Sequence, residues 1–260
     1  MRQGIDKRLV RERFAKALGS YREHAVVQRE MAIVLADMVC AAVPSRSFGR
    51  VFEVGAGTGA LTGALLSRSD IDTYIANDIV AESRGYIARE AVLQGHARFE
   101  FLPGDIETLE KLPGELDLVV SNATVQWLTD LDGFFMKIAG CLKPGGLLAF
   151  STFSSLNMLE IAALEDEGLS YPELSDLEAL GSRYLEPIVF KEEHRRVAFD
   201  SPVSMLHHIR KTGVNGIARR TWTKGRYLRF LRRYQEAYAC EEGVYLTYHP
   251  VYCCFRKMLP

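Results

Sequence analysis

The chain has 260 residues, 48% of them hydrophobic and 25% charged, and its formal net charge is -1 at pH 7. This composition predicts a globular protein with a substantial core, and the near-neutral charge argues against a general nucleic-acid binder. The five cysteines show no C-x-x-C or cysteine–histidine metal spacing, which predicts free thiols in a reducing cytosol and no metal site. The first 30 residues are too charged for a signal peptide, and no apolar run is long enough to cross a bilayer. We therefore expect a cytoplasmic protein that does not contact a membrane.

The N-terminal region predicts a helix ahead of the first strand. Residues 5–19 are polar and basic with a few apolar positions, and Ser20–Gln28 leads into a predicted helix at Arg29–Val43. Apolar residues recur across that helix at the spacing of one helical face. The segment Pro44–Gly49 then ends the helix before the first predicted strand.

The stretch Val51–Leu61 (VFEVGAGTGAL) predicts a short strand, a turn with three glycines and the start of a helix. Glycines let backbone N–H groups approach a nucleotide-like ligand that side chains would hold away. The turn fits the dinucleotide pattern G-x-G-x-x-G/A, but that match alone is weak evidence for NAD. The acid Glu53 and the packed spacing Gly55-x-Gly57-x-Gly59 resemble motif I of the class I S-adenosylmethionine (SAM) methyltransferases. This resemblance favours SAM over NAD as the ligand of the turn.

Two further predicted strands end in acids. The first, Asp72–Asp78, ends 19 residues after the last glycine of the turn. That distance is typical of the acid that accepts hydrogen bonds from both ribose hydroxyls in nucleotide-binding α/β folds. The second, Arg98–Asp105, has its acid at the position that faces the adenine amino group in SAM methyltransferases. By the same resemblance, Ile106 would lie against the adenine ring.

The next two predicted strands complete the parallel part of a sheet. Residues 116–127 predict a central strand and its loop, and Asn122 lies at the carboxyl end of that strand, where ligands of open α/β sheets bind. A helix at Phe134–Leu142 is closed by Lys143–Gly146, and strand five follows at Leu147–Phe153. The sequence Leu-Lys-Pro-Gly-Gly before a buried strand resembles class I methyltransferases and is not expected in NAD folds.

The remaining segments predict elements less regularly. Helices are predicted at 81–94, 158–167, 175–184, 202–211 and 224–240, strand six at 192–200 and strand seven at 245–257. Since no repeat or linker is visible, we predict one α/β domain over 1–260. Its fold would be the Rossmann-like seven-stranded sheet of class I methyltransferases, mostly parallel with an antiparallel last strand. The core would span 45–153 plus the last two strands, with a helical cap from 1–43 and 154–240.

Motifs along the whole chain carry a more specific resemblance. They are Tyr21-Arg-Glu-His-Ala25 with Gln28, Ser121–Trp127, Phe153, Thr212-Gly-Val-Asn215, Trp222-Thr223 and Leu246-Thr-Tyr248. Over roughly residues 14–256 the chain resembles the malonyl-acyl-carrier-protein O-methyltransferases of biotin synthesis. The resemblance implies methyl transfer from SAM to the free malonyl carboxylate, giving a methyl ester and S-adenosylhomocysteine. Because a carboxylate with a pKa near 4 is already ionised at neutral pH, no catalytic base is required.

The resemblance also implies roles for individual residues. SAM would be held by Gln28, Glu53, Gly55, Gly57, Gly59, Asp78, Asp105, Ile106 and Asn122. The segment with Tyr21, His24 and Gln28 would close over SAM as a lid. The candidates for orienting the substrate are Tyr21, Trp127, His207, Arg210 and Trp222, with His208 beside them.

The segment Arg210–Arg233 holds nine Lys or Arg residues and no acid. In its predicted helix, Arg226, Arg229 and Arg233 share an expected exposed face, and Tyr227, Leu231, Tyr234 and Tyr238 form the opposite, core-facing stripe. A basic run is usually a solvated face, but an acidic acyl carrier protein is the partner that the resemblance implies. Nucleic acid is the alternative ligand of this basic segment. The overall charge and the lack of a binding motif argue against it. A monomer is expected.

Two alternatives stay open from the sequence. The chain could be a SAM methyltransferase for another small carboxylic acid or a quinone, in which case the basic segment would not matter. It could instead be a non-catalytic SAM-binding partner in an assembly, although the intact glycine turn with Asp78 and Asp105 argues against lost activity. A carrier-protein thioester and a coenzyme A thioester are equally compatible with the sequence.

Overall fold

The structure is a computed structural model that describes residues 5–95, 98–165, 169–212 and 222–259. Its helices are α1 (Lys7–His24), α2 (Val26–Ala42), α3 (Ala60–Leu66), α4 (Ser83–Leu93), α5 (Leu131–Cys141), α6 (Leu159–Glu165), α7 (Leu174–Gly181), α8 (Pro202–Lys211) and α9 (Lys224–Ala237), with a 3-10 turn at Val125–Trp127. Its strands are β1 (Ser47–Val54), β2 (Asp70–Asp78), β3 (Phe99–Pro103), β4 (Leu116–Asn122), β5 (Leu142–Phe153), β6 (Glu186–Glu192), β7 (Arg195–Phe199), β8 (Ala239–Cys240), β9 (Gly243–Tyr248) and β10 (Pro250–Arg256). None of these helices is both long enough and apolar enough to cross a lipid bilayer.

Seven strands form one sheet in the order β3-β2-β1-β4-β5-β10-β6. Neighbours pair in parallel from β3 to β5, and β10 runs antiparallel to both β5 and β6. The predicted seven-stranded, mostly parallel sheet with an antiparallel last strand is therefore confirmed. The chain order reverses between β1 and β4. Ligands of such sheets bind at the carboxyl ends of the strands beside the reversal, here after Val54 and Asn122.

The C-terminal part differs from the prediction in two places. The strand predicted at 192–200 is β7, which lies in a separate sheet of order β7-β9-β8; the edge strand of the large sheet is β6, at Glu186–Glu192, which was not predicted. The strand predicted at 245–257 is divided at His249 into β9 and β10, which join different sheets. Pro250 opens β10, the position where a residue without an N–H does least harm to a ladder. Local alternation of side chains is the same in both sheets, so it does not reveal which sheet a strand will join.

The N-terminal region contains a helix that the sequence analysis did not predict. α1 begins after Asp6, whose side chain accepts a hydrogen bond from Leu9 N at 3.1 Å as an N-cap. It ends at Ala25, and α2 follows at once. The predicted helix at Arg29–Val43 therefore begins three residues earlier, at Val26.

The core lies on both faces of the large sheet. Residues 118–120 of β4 are fully buried, as expected of a central parallel strand. One face packs against α2, α3, α4, α8 and α9, and the other against α5 and α7. On the second face the ring of Phe135 makes edge contacts with Phe150 and Phe255. β1 and β4, which lead into the site described next, are thus covered on both faces.

Candidate active site

The three glycines after β1 have different roles. Their φ angles are 70° at Gly55, 55° at Gly57 and 81° at Gly59, a region that strains other residues. A Cβ on Gly55 would lie 2.3 Å from Thr124 Oγ1, and a Cβ on Gly59 would lie 2.9 Å from a Glu90 carbon. These two glycines allow close packing within the protein. A Cβ on Gly57 would meet no atom of the described residues within 4 Å, so the space beside Gly57 is open to the cleft that it lines.

Asp78, the last residue of β2, holds this turn by its side chain. Its Oδ2 accepts a hydrogen bond from Gly57 N at 2.7 Å, and its Oδ1 accepts one from Val80 N at 2.8 Å. Burial raises the pKa of this carboxyl, and the two N–H donors offset part of the rise. A carboxylate oxygen has two lone pairs, so Asp78 can still accept from the two hydroxyls of a ribose.

Glu53 is buried beneath the turn, with 1% of its surface exposed. Its Oε2 accepts hydrogen bonds from the hydroxyls of Thr62 at 2.5 Å and Tyr74 at 2.6 Å. Burial raises the pKa of Glu53 to about 7, although the two hydroxyl donors lower it; the charge of Asp78 raises it further. The motif I acid therefore titrates near neutral pH, in a position that lines the cleft.

We expect Glu53 to make the stability of the ligand-free protein depend on pH. A carboxyl with a raised pKa in the folded state contributes stability that is fully present below its ordinary pKa of 4.5 and is lost as the pH rises to about 7. In Glu53→Gln the group does not titrate, and the amide oxygen can still accept from Thr62 and Tyr74. In urea denaturation, the free energy of unfolding of the wild type should fall relative to that of Glu53→Gln across this pH window. A constant difference between the two proteins would contradict the raised pKa.

Together the turn, the strand ends and α1 enclose a cleft of about 1020 Å³, open solvent at its mouth included. α1 contributes one wall over its whole length, with Lys7, Val10, Phe14, Leu18 and Tyr21. The wall is continuous because these residues recur at helical spacing and so share one face of α1.

The start of α1 is tied to the end of β3. Lys7 Nζ donates to Asp105 Oδ1 at 3.2 Å and forms an ion pair with Glu107. Ile106, between these two acids, is 5% exposed and lines the cleft. Asp105 and Ile106, the residues predicted to contact adenine, thus both line the cleft, and the Asp105 carboxylate already accepts from Lys7.

An aromatic group forms the far end of the cleft. The ring of Phe14 contacts Trp127 edge-on at a centroid distance of 5.5 Å and Tyr21 at 6.1 Å. Burial, with a smaller effect from the charge of Asp78, raises the pKa of Tyr21 well above its ordinary value. Tyr21 therefore stays protonated at neutral pH and can act only as a hydrogen-bonding or packing group.

Asn122, at the end of β4, acts on the neighbouring helix. Its Nδ2 donates to the carbonyl oxygen of Gln28 at 2.9 Å, and its Oδ1 accepts from Ser151 Oγ at 2.6 Å. Both Asn122 and Gln28 line the cleft. The side chain of Asn122 thereby holds the start of α2 against the cleft wall.

A second, smaller cavity of about 310 Å³, open solvent included, adjoins the cleft. The two share the wall residues Phe14, Tyr21, Gln28, Ala123 and Trp127. The smaller cavity is completed by Gln126, Phe153, Asn157, Met158, Tyr171 and Thr212. The two cavities are therefore neighbours on either side of these residues.

Comparison with known proteins agrees with this architecture. Residues 52–150 match the family described as "Methyltransferase domain". A malonyl-[acyl-carrier protein] O-methyltransferase of Prosthecochloris aestuarii is 50% identical over 255 residues, which cover 98% of this chain and 95% of the relative. The chain belongs to this family. A relative of the same name from Chlorobium luteolum is 47% identical over 97% of this chain and 96% of its own length.

Solved structures support the fold at lower sequence identity. The YcgJ protein of Bacillus subtilis matches with a TM-score of 0.62 and 14% identity, over 87% of this chain and 99% of its own. Phosphoethanolamine N-methyltransferase 2 of Haemonchus contortus, solved with S-adenosyl-L-methionine, matches with a TM-score of 0.58 and 14% identity, over 94% of this chain and 57% of its own. These two likenesses concern the fold alone.

For this member of the malonyl-[acyl-carrier protein] O-methyltransferase family, every predicted SAM residue except Gly59 lines the cleft; Gly59 packs against α4. Of the substrate candidates, Tyr21 and Trp127 line both cavities. His207 and Arg210 are exposed on α8 and line neither, because the buried face of α8 lies on its other side. His208 is half-buried, and burial lowers its pKa.

Trp222 also lies outside both cavities. It packs against Phe230 of α9 at a centroid distance of 4.8 Å, and the guanidinium of Arg226 lies 5.4 Å from its ring centroid. The geometry therefore makes Trp222 part of the packing between α9 and its preceding segment. Of the motif Thr212-Gly-Val-Asn215, residues 213–215 lie outside the described residues.

The structure corrects the expected exposed face of α9. Arg226 is half-buried and forms an ion pair with Glu165 at 2.6 Å. Arg233 is exposed but donates to the carbonyl oxygen of Leu164 at 3.1 Å. The stripe that faces the core is centred on Phe230 and Tyr234, while the other three predicted stripe residues are half-buried. Arg219 and Arg220, of the nine basic residues, lie outside the described residues.

Several site residues were missed by the sequence analysis. Phe14 belongs to the α1 wall, and the helical spacing of Val10, Phe14, Leu18 and Tyr21 is the signal that could have found it. Asn157 and Tyr171 have no comparable signal, since both lie in irregular segments that follow β5.

Proposed function

We propose that this chain transfers a methyl group from SAM to the free carboxylate of a malonyl thioester on acyl carrier protein. The products would be the malonyl methyl ester and S-adenosylhomocysteine, in the early pimeloyl branch of biotin biosynthesis. The observation that carries the proposal is a glycine-lined cleft that shares an aromatic wall with a second cavity. Membership of the malonyl-[acyl-carrier protein] O-methyltransferase family supports the choice of substrate.

The residues of the cleft fit SAM. The open space at Gly57 admits a ligand against bare backbone, and Asp78 offers acceptors for a diol. Asp105 and Ile106 offer an acceptor and an apolar surface for a base. When bound, SAM supplies an electrophilic methyl group on a sulfonium ion. The rings of Phe14, Tyr21 and Trp127 are suited to a neighbouring cation, because aromatic faces attract positive charge.

The chain supplies position and an aromatic wall, and no base. Among the described residues that line the smaller cavity, none is Asp, Glu, Lys, Arg or His. Tyr21 stays protonated at neutral pH, so it can orient an oxygen but cannot remove a proton. The reaction joins opposite charges, which water would stabilise before reaction, so an apolar aromatic wall beside the reacting groups favours it. Alignment of the reacting atoms is then the main task of the protein.

We expect the rate at saturating SAM to be nearly flat from about pH 6 to 8.5, because the substrate carboxylate is already ionised over this range. The measurement is kcat across the range with malonyl carrier protein. A rise of one log unit per pH unit would indicate a hydroxyl or amine acceptor and would contradict a carboxylate nucleophile.

The proposal is tested by incubating malonyl carrier protein with SAM and the purified chain. Intact-protein mass spectrometry should show the carrier gain the mass of one methylene group, and esterase treatment should remove it. Acetyl carrier protein, which lacks the free carboxylate, is the matched control and should stay unchanged. Methylation of a free acid or quinone, with none of the carrier, would instead favour the alternative methyltransferase. SAM binding without transfer to any of them would favour a non-catalytic partner.

We further propose that the solvent side of α9 is the docking face for the carrier protein. Lys224, Leu228, Arg229 and Arg232 are all exposed there, and Lys224, Leu228 and Arg232 follow one another at four-residue spacing. Leu228, 53% exposed, adds an apolar contact within the basic face. Such a face complements an acidic carrier and would speed its approach. A cytoplasmic monomer that does not contact membranes remains part of this prediction.

A further inference from the structure

We propose that the indole N–H of Trp127 and the side-chain amide of Asn157 bind the malonyl carboxylate in the smaller cavity. This inference rests on the proposed function and deepens it, since it names the groups that recognise the substrate's reacting end. Neither residue has an ionisable side chain, and Asn157 lies in a segment without any recognised motif.

Both side chains line the smaller cavity and are more than nine-tenths buried. Trp127 is 6% exposed and Asn157 is 4% exposed. Trp127 also lines the cleft, so it stands at the boundary that the methyl group must cross.

The donor atoms of these two residues have no partner in the described part of the chain. Trp127 Nε1 and Asn157 Nδ2 are both inaccessible to solvent and neither makes a hydrogen bond of acceptable geometry there. A buried donor without an acceptor destabilises the fold, so two of them beside one cavity indicate a place for an acceptor ligand.

The orientation of the Asn157 amide is set by its other atom. Asn157 Oδ1 accepts from His249 N at 3.4 Å, so Nδ2 is the end of the amide that lacks an acceptor in the described part of the chain. Burial raises the pKa of Tyr171 to about 12, and the nearby Asn157 amide, which is not in hydrogen-bonding geometry with the hydroxyl, partly offsets this rise. Tyr171 therefore keeps its proton and is a further neutral donor on the same wall.

The fold brings these groups together from two strand ends. Trp127 lies on the 3-10 turn after β4, and Asn157 lies in the turn after β5, where Asn157 N donates to Ser154 O at 2.9 Å. β4 and β5 are parallel neighbours, so their carboxyl ends meet at the same edge of the sheet.

Neutral donors suit this substrate better than a cation. A Lys or Arg partner would stabilise the carboxylate in the ground state and so weaken it as a nucleophile. Only interactions that are kept or strengthened in the transition state raise the rate. Buried N–H groups also discriminate: an acyl group without a terminal carboxylate would leave them unpaired.

The test is Asn157→Asp, which keeps the oxygen that accepts from His249 and replaces only the donor end. We expect kcat/KM for malonyl carrier protein to fall about tenfold or more, because a charged hydrogen bond is replaced by repulsion. SAM affinity, measured by calorimetry, should stay at the wild-type value. The matched control is Gln94→Glu, the same change of charge at an exposed position after α4, which should keep wild-type activity.

A pH series separates recognition from a structural effect. The activity of Asn157→Asp relative to wild type should rise as the pH falls from about 8 to 6, because the new carboxyl, buried and so raised in pKa, regains a proton to donate. Trp127→Phe, which keeps a ring against Phe14 and removes the N–H, should also raise KM with unchanged SAM affinity.

The possible results distinguish failure of this inference from failure of the proposed function. If the wild type is active and Asn157→Asp has the same kcat/KM, this inference is wrong and the proposed function still holds. If Asn157→Asp does not fold, an unchanged KM in Trp127→Phe would overturn it in the same way. A wild type that methylates no malonyl carrier protein would overturn the proposed function itself.

Discussion

Replacing Gly57 with valine is expected to abolish measurable SAM binding while the chain still folds. The valine side chain would enter the space that no described atom fills, at the point where the backbone faces the cleft. Its φ of 55° adds strain of about 1–3 kcal/mol, which is smaller than the stability of a typical domain. Isothermal calorimetry with SAM measures the effect, and thermal unfolding verifies the fold.

Gly95 provides a matched control for this change. Its φ is 75° and a Cβ there would also meet no described atom within 4 Å, but it lies after α4, outside the cleft. Gly95→Val therefore introduces the same kind of strain and should keep wild-type SAM affinity. Equal loss in both variants would mean that strain, and not the occupied ligand space, causes the effect.

Asp78→Ala should weaken SAM binding at least tenfold, since one charge-assisted hydrogen bond contributes about 1.5–3 kcal/mol. Asp78 also holds Gly57 N and Val80 N, so its loss would release the turn as well as remove acceptors for the ribose. Wild-type affinity in either Gly57→Val or a folded Asp78→Ala would refute the assignment of the cleft to SAM.

Reversing the charge of Lys224, Arg229 and Arg232 to glutamate should lower kcat/KM for malonyl carrier protein severalfold or more at low salt. Arg226 is left in place because its ion pair with Glu165 is partly buried. The three chosen side chains are exposed, so folding and SAM affinity should change little. The loss should shrink with added salt as the Debye length falls below about 8 Å.

Two controls make this experiment specific. A small malonyl thioester has no protein surface to dock and should react with both enzymes at similar rates. Reversing Arg84, Arg89 and Arg98, which are also exposed, changes the net charge equally at another place and should have a much smaller effect. If both triple variants slow the carrier equally, or the α9 variant slows neither substrate, then α9 is only a solvated face.

The glycine turn, the acids at two strand ends and the seven-stranded sheet could be predicted from the sequence. The turn and the acids follow from local rules, because glycine accepts the positive φ found at Gly57 and ligands of open α/β sheets bind where strands end. The sheet follows from the resemblance to class I methyltransferases. The motif I acid, Glu53, was identified by its resemblance to class I methyltransferases. Its environment was not, because Thr62 and Tyr74, which hydrogen-bond Glu53, come from other elements of the chain.

Contacts between distant segments were decided only by the tertiary structure. Arg226 is not part of the expected docking face because it pairs with Glu165, 61 residues away in the chain. The strands β9 and β10 join different sheets, although their side chains alternate in the same way. Trp127 and Asn157 likewise meet at one cavity because β4 and β5 are neighbours in the sheet. Periodicity and motif spacing report on a residue and its near neighbours in the chain. The packing of whole helices and strands decides which buried donor lacks an acceptor and which charged side chain has a partner. No local sequence pattern predicts that packing.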